Sequence, residues 1–302
     1  MSEITEIGQA QRTGPDGFGA LYVVATPIGN LSDLSERTIA VLREVAWVAA
    51  EDTRTTRLLL DRAGSTARML AAHQHNERAA AERIVALLGQ GHPVALVSDA
   101  GTPAVSDPGC RIVSAVLDAG LQVVPIPGPS AAIAMVSASG LVDGPFHFEG
   151  FLPTRPKARD ARLATLARLE HPFVVFEAPH RIAATLPAIA AHCGSQRRIA
   201  LGRELTKRFE EVFRCPAGNA ADWLAADPNR LRGEYVLVVD GAPATDAAEQ
   251  TGIDVRALLT ALLEVMPTSQ AVKIAMRATG RAHRELYRLA LEYNQGGQDT
   301  VD

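Results

Sequence analysis

From Ala20 onward the chain alternates short apolar runs with longer amphipathic ones, and this alternation constrains the fold more than any other feature. ALYVVAT, WVAAED, ARMLAAH, VALVSDA and QVVPIPG read as strands. Between them LSDLSERTIAVLREV, TRTTRLLLDRAG, NERAAAERIVALLGQG and PGCRIVSAVLDAG read as helices, and SAAIAMVSASG adds an Ala/Ser-rich one. Strands alternating with helices of 10–15 residues imply βαβ units around a mostly parallel sheet. Local signals mark the helix ends. Ser32 or Asp33 caps the first helix, Gly64 ends the second, and Asn76 starts the third with Glu77 in its first turn.

A composition break follows at VDGPFHFEGFLPTRPKARDAR, where Gly, Pro and basic residues cluster. Beyond it, FVVFEAPHR, a helix from Ile182, RIALGREL, KRFEEVFRC and GEYVLVVDG restart the pattern as a smaller α/β unit with a mixed sheet. VRALLTALLEVM, SQAVKIAMRATG and RAHRELYRLALEYN read as three further helices, two of them separated by a tight turn at Gly280, a helix-turn-helix pattern. The expected organisation is a disordered tail (1–19), an N-terminal α/β domain (20–140), a C-terminal α/β domain (141–241), a linker (242–252), a helical module (253–295) and a short tail (296–302).

Composition narrows the class. A formal charge of −4 over 302 residues argues against a protein that coats nucleic acid nonspecifically, yet allows a local basic patch. Cys110, Cys193 and Cys215 lie far apart without a CxxC pair, so a reducing compartment is expected and a zinc site is not. The N-terminal MSEITEIGQAQRTGPDGFG lacks the basic and apolar regions of a signal peptide, and no apolar run approaches the roughly 20 residues that span a bilayer. A soluble cytoplasmic protein is the expectation. His73 and His75 in HQHNE have no further ligand at useful spacing and are read as a surface loop; no metal is expected.

Three strands run into loops that contain Gly and Pro: Val23–Asn30, Leu96–Pro103 and Val124–Ala132. In open α/β sheets ligands bind outside the carboxyl ends of the strands, so all three loops could meet at one rim. Glycine lets a ligand approach the backbone and proline fixes φ, which suits a flat heterocycle and ribose held by main-chain groups. No GxxxxGK[ST] is present, and GPDGFG and GQGHP precede strands, the wrong order for a dinucleotide fingerprint.

LYVVATPIGNLSDLS, AAEDTR, LVSDAGTPAVSDPG, PIPGPSAA, FEAPHR, RELTK and GEYVLVVDG together resemble the bacterial small-subunit ribosomal RNA 2′-O-ribose methyltransferases, a branch of the tetrapyrrole (corrin/porphyrin) methylase superfamily. The resemblance runs from about Leu21 to Tyr293; its departures are small, among them Ala25 before Thr26-Pro27 and Pro129-Ser130 in the third loop. It implies two α/β domains with S-adenosylmethionine in the cleft between them, a homodimer, and methylation of a cytidine ribose in the decoding region of the small subunit. Carried over by motif, Pro27 and Gly29 flank the donor. Ser98, Asp99, Ala100, Gly101 and Thr102 hold its amino-acid and ribose portions, and Ser130, Ala131, Phe176 and Glu177 enclose its adenosine.

Methyl transfer from a sulfonium is an in-line displacement, so alignment matters most, and orientation contributes on the order of 7–11 kcal/mol. The ribose hydroxyl needs a general base. Glu51 and Asp52 in AAEDTR, His180, and Glu204 or Lys207 in RELTK are the candidates; as strand neighbours, Glu51 and Asp52 are not expected to face the cleft together. Arg54, Arg181 and Arg203 suit the phosphates around the ribose. Between Thr268 and Arg288, Lys273, Arg277, Arg281, Arg284 and Arg288 face a single acid, Glu285, and the last four arginines share a helical face if the turn is ignored. This patch is read as an RNA grip. Two rival readings remain: the same fold acting on a small tetrapyrrole-like acceptor, and a non-catalytic ligand sensor that reads DNA.

Overall fold

The computed structural model describes residues 19–243, 254–279 and 283–296. The chain divides into one compact unit ending at Asp240 and another beginning at Gly241.

The larger unit opens with a five-stranded sheet: β1 (Leu21–Val24), β2 (Trp47–Ala50), β3 (Arg68–Ala71), β4 (Val94–Val97) and β5 (Val123–Ile126). Its order is β3-β2-β4-β1-β5, and every neighbouring pair is parallel. A parallel sheet is covered on both faces, so its strands read as continuous apolar runs; all four residues of β4 are buried. Successive side chains feed opposite cores. Tyr22, Val24, Val48 and Ala50 pack with Val41 and Leu60, while Leu21, Ala49 and Leu96 pack with Ile84, Leu88 and Ile112. The crossovers are α1 (Glu36–Glu44), α2 (Thr53–Ala63), α3 (Glu77–Gly89) and α4 (Cys110–Asp118).

Helix ends obey local chemistry, with two changes from expectation. Gly64 does end α2, in the left-handed conformation at φ 69°. The first helix is not capped by Ser32 or Asp33. Those residues form a short 3-10 turn under Asn30, whose side chain accepts from the Ser32 amide at 3.0 Å. Ser35 then caps α1 by accepting from the Thr38 amide at 3.0 Å. The buried face of α1, Thr38, Val41 and Leu42, begins only after Ser35, so the cap lies where that face starts. Asn76 precedes α3, but its side chain ties the loop instead, accepting from the His73 amide and donating to the Ala71 carbonyl.

The second sheet contains β6 (His147–Phe151), β7 (Phe173–Glu177), β8 (Arg198–Arg203), β9 (Glu211–Pro216) and β10 (Tyr235–Val239), ordered β6-β7-β10-β8-β9. It is mixed: β6 and β7 run parallel and the remaining pairs antiparallel. α5 (Ala131–Ser139) follows the first sheet in sequence yet packs on the second, where Ala132 and Met135 join Val174, Ala200, Val236 and Val238. The other face is covered by α6 (Pro156–Leu166), α7 (Ile182–Cys193) and α8 (Ala217–Ala225). The segment read as a composition break holds β6 and α6. Its Pro156 sits at the first helical position, where a missing N–H costs nothing.

In the smaller unit, α9 (Val255–Leu263), α10 (Thr268–Thr279) and α11 (His283–Gly296) enclose their own core of Val255, Leu259, Val272, Ala275, Leu286 and Ala290. Gly280 and Arg281, in the expected tight turn, lie outside the described residues, as do the first eighteen residues, most of the linker and the last six.

Candidate active site

β4, β1 and β5 are neighbours in one parallel sheet, so their three Gly/Pro loops emerge side by side. They are stitched together. The Thr26 amide donates to the Gly101 carbonyl at 2.8 Å, and the Gly101 amide donates back to the Thr26 carbonyl at 3.1 Å. The Thr26 hydroxyl donates to the carbonyls of Ser98 and Gly101, and the Thr102 hydroxyl donates to that of Pro129 at 3.1 Å. The far end of the β4 loop is anchored by Glu77. Its buried carboxylate accepts from the amides of Gly109 (2.9 Å) and Arg111 (3.0 Å), so this first-turn residue of α3 caps α4. Between the anchors the chain takes left-handed conformations at Gly101 (φ 81°), Ala104 (φ 65°) and Ser106 (φ 66°). Non-glycine residues enter that region at a cost of about 1–3 kcal/mol, and only where the surroundings over-determine them.

This loop forms one wall of a cavity of about 280 Å³. Ala100, Gly101, Thr102 and Asp107 line it from the β4 loop, and Ser130 and Ala131 from the start of α5. The second sheet closes it with Phe151, Phe176, Glu177, Glu204, Lys207 and Glu234. A larger hollow of about 490 Å³ between α3 and α4 opens on the surface, away from all three loops.

The cavity is charged on both sides. The Lys207 ammonium donates to Glu204 and to Glu234, each at 2.8 Å. Burial alone would lower the Lys207 pKa, but its bonds to the two carboxylates outweigh it and hold the group above its ordinary value. Burial likewise opposes ionisation of Glu204, and Lys207 and the Glu234 amide more than offset it, so its pKa is lowered. Two glycines make room for the pair. A Cβ on Gly29 would fall 2.4 Å from the Lys207 Cγ, and one on Gly233 would fall 2.4 Å from the Glu204 Cγ. Across the cavity, Asp107 is pushed up to about 6, first by burial and then by the charges of Glu51 and Asp99. Glu51 is raised by burial and by Asp99.

The structure sorts the residues expected from sequence. Seven of the eleven donor candidates line the cavity: Ala100, Gly101, Thr102, Ser130, Ala131, Phe176 and Glu177. Pro27 and Gly29 do not, although Ile28 between them does. Ser98 is buried beneath its loop, its hydroxyl turned to the Ala100 and Gly101 carbonyls, and Asp99 is exposed with its carboxylate on the Asp52 amide at 3.0 Å. Glu177 shows the cavity little of its charge, because Thr185 (2.6 Å), the Ala178 amide (2.9 Å) and Arg181 (3.1 Å) occupy its carboxylate.

Among the base candidates, Glu204 and Lys207 reach the cavity and Glu51, Asp52 and His180 do not. Asp52 caps α2, and its ion pair with Arg54 at 2.6 Å drops its pKa to about 2, too low for a base near neutrality. Asp107 was missed by sequence reasoning. Its signal was the strained SDPG end of the loop, which reads as a plain turn.

Two of the expected phosphate contacts are corrected. Arg203 is buried, and its guanidinium is spent on the carbonyls of Arg232, Phe209 and Asn229. Arg181 clamps the carbonyls of Leu152 and Pro153 and pairs with Glu177. Both guanidiniums are folded onto the protein's own carbonyls, and Arg181 onto Glu177 as well, instead of standing free toward solvent. Arg54 is exposed, on its ion pair with Asp52. In the smaller unit Lys273, Arg277, Arg284 and Arg288 are exposed. Arg284 and Arg288 share a face of α11, whereas Arg277 belongs to α10, so the arginines do not form one continuous helical stripe. Among the described residues, no three His, Cys, Asp or Glu side chains are grouped to hold a metal.

A parallel sheet whose loops cradle a cavity closed by a mixed sheet is the arrangement of the tetrapyrrole (corrin/porphyrin) methylases, and that family is matched over residues 20–221. The chain belongs to it. Residues 249–293 match the family described as the RsmI C-terminal HTH domain. A ribosomal RNA small subunit methyltransferase I of Xylella fastidiosa strain Temecula1 is 47% identical over 269 residues, 89% of this chain and 98% of that protein. The protein of the same name from Escherichia coli O157:H7 is 42% identical over 274 residues, 91% and 95% of the two chains. Among solved structures, the uroporphyrin-III-C-methyltransferase of Thermus thermophilus superposes with a TM-score of 0.52 at 19% identity, covering 73% of this chain and 94% of that one. The form complexed with S-adenyl homocysteine gives 0.51 at 17%, covering 74% and 97%. At such identities the likeness carries the fold alone.

Proposed function

We propose that this protein transfers a methyl group from S-adenosylmethionine to the 2′-hydroxyl of a cytidine ribose in the decoding region of small-subunit ribosomal RNA. The observation that carries the reading is the stitched three-loop cavity, found in a chain more than 40% identical, over some nine-tenths of its length, to ribosomal RNA small subunit methyltransferases. The residues present fit the donor. At Gly101 the backbone is open at φ 81° and nothing but hydrogen extends from it, while Ala100, Thr102, Ser130 and Ala131 offer main-chain groups around a heterocycle and ribose. Phe176 supplies an apolar face for the ring.

When bound, S-adenosylmethionine supplies an electrophilic methyl carbon on a positively charged sulfur. The chain's own residues do the remaining work. Asp107, poised near pH 6 on the cavity wall, accepts the proton of the ribose hydroxyl. Lys207, kept cationic by Glu204 and Glu234, offsets negative charge that develops on that oxygen. The fixed loops orient the donor and exclude water.

The substrate is the RNA of the assembled 30S subunit, the working form a homodimer, and the location the cytoplasm. No helix among the described residues is long and apolar enough to cross a membrane. The exposed basic residues of α10 and α11 grip the RNA. Removing residues beyond Gly252 leaves donor binding intact and weakens methylation of ribosomal particles, with a shallower salt dependence; equal activity of the truncated and full-length chains would refute the grip.

The deciding experiment is transfer of labelled methyl to purified small subunits that lack the modification, followed by digestion to nucleosides. Ribose-methylated cytidine is the expected product. Donor binding without incorporation would move the acceptor to another RNA or to a small molecule of the tetrapyrrole kind.

A further inference from the structure

Two of the chain's eight phenylalanines, Phe151 and Phe176, line the cavity, and a third, Phe148, packs on Phe176, although aromatic residues make up only 5% of the sequence. Phe148 and Phe176 meet edge to face, centroids 5.2 Å apart and planes at 70°. Phe176 in turn meets Phe151 at 5.6 Å and 64°. Phe151 is the outermost. It lines the cavity, yet it is 55% exposed at the end of β6. A ring held by a neighbour that is itself packed on a third, and more than half exposed at a reaction cavity, is pre-organised for stacking.

Four residues further on, the chain turns cationic. Arg155, Lys157, Arg159 and Arg162 fall within eight residues against a single acid, Asp160. Arg159 and Arg162 are already used, on Asp160 at 3.4 Å and on Glu149 at 2.6 Å. Arg155 and Lys157 are exposed and have no ion pair among the described residues. They sit at the start of α6, whose first turn carries no acid and no side-chain cap, so the positive end of the helix adds to their field.

We propose that Phe151, with Arg155 and Lys157 four and six residues on at the start of α6, is the landing site of the acceptor nucleotide: the cytosine, turned out of its stack, lies on Phe151, and an adjoining phosphate meets the two cations. This inference rests on the RNA-methylating reading above. Charge separates the two flat rings that could use Phe151. The methyl donor carries a sulfonium and an ammonium against one carboxylate, so exposed cations on α6 repel it and attract a polyanion. Chemistry on a nucleotide held in a helix requires extruding it, at a cost of a few kcal/mol, and an open aromatic face offsets part of that.

The test uses the full-length protein, small subunits as substrate and S-adenosylhomocysteine as the donor-site probe in calorimetry. Phe151→Ala should lower kcat/KM for subunits by roughly tenfold or more and leave the affinity for the probe within about twofold. Phe151→Trp should restore activity to within about threefold, which a merely structural role would not predict. Arg155→Ala/Lys157→Ala should raise KM with little change in kcat, and should flatten the log–log salt dependence by about 1.4, the value for two lost single-strand phosphate contacts. If Phe151→Ala weakens probe binding as much as methylation, the ring serves the donor's adenine and the proposal fails. Wild-type rates in both variants would also overturn it. Absence of methylation by the wild-type protein, despite probe binding, would remove the underlying reading and this proposal together.

Discussion

The two walls of the cavity are built on different principles. The wall from the first sheet is backbone: three loops bound to one another through Thr26, Gly101, Thr102 and Pro129, with glycines or strained residues wherever the chain must turn. The wall from the second sheet is side chain: Phe151, Phe176, Glu204, Lys207 and Glu234, drawn from four separate stretches. A backbone wall can cradle a ligand whose shape never varies, such as the donor. Beyond the face that Phe176 offers to the donor's ring, a side-chain wall supplies the charges and the outer ring that a particular acceptor needs. Specificity in this fold therefore lies with the side-chain wall, and substitutions can separate the two roles.

The largest effect is expected at Gly101. With φ at 81°, any side chain is strained there, and a Cβ would already sit 3.5 Å from the Ile28 methyl. Gly101→Leu should reduce donor affinity at least 100-fold in calorimetry; unchanged affinity would remove the β4 loop from the donor site. Asp99→Ala should do much less, because Asp99 points to the Asp52 amide and away from the cavity. Gly29→Ala acts on the opposite wall. Its new methyl would overlap the Lys207 side chain, so the ammonium must leave Glu204 and Glu234. Turnover should fall roughly tenfold or more while donor affinity stays within a few-fold, since one displaced charge contact in the transition state is worth a few kcal/mol at most. Equal losses in binding and turnover would mean that Lys207 holds the donor.

The contrast between the walls also explains what the sequence revealed. The backbone wall was legible because glycine and proline leave a local signature, and because three such loops on successive parallel strands must converge. The parallel sheet itself followed from its two buried faces. The side-chain wall was only half legible. Glu204 and Lys207 stood out as a charged cluster after a strand, but Glu234 is distant in sequence and meets them only because β10 lies beside β8. Arg203 and Arg181 misled for the same reason. A guanidinium looks alike in sequence whether it faces solvent or, as here, is folded onto backbone carbonyls. Glu77 is the mirror case: read as a first-turn acid of its own helix, it caps the next one, across the thirty-two residues to Gly109.

The melting shift expected at Asp107 is the smallest of these effects and the sharpest, because stability and activity should move in opposite directions. In the folded protein its pKa is about 6, against 3.8 for a free side chain, so between those values the native state holds more protons than the unfolded chain. Stability therefore falls as pH rises from about 4 to 6, and the penalty is complete above that range. Asn cannot ionise. Asp107→Asn should melt about 2–4 °C higher than the wild type at pH 7.5, corresponding to roughly 1 kcal/mol once solvent screening of a half-buried group is allowed for. The advantage should disappear toward pH 4. The same variant should lose most of its turnover, along with the rise in rate through pH 6 that a carboxylate base imposes on the wild type. A variant that is more stable but still active would leave Asp107 as a cavity residue carrying unrelieved charge, and proton removal would pass to Glu204. A variant that is both less stable and less active would mean that the carboxylate holds the loop in shape. Only greater stability with lost turnover places the proton on Asp107, on the backbone wall, opposite the charges that receive the acceptor.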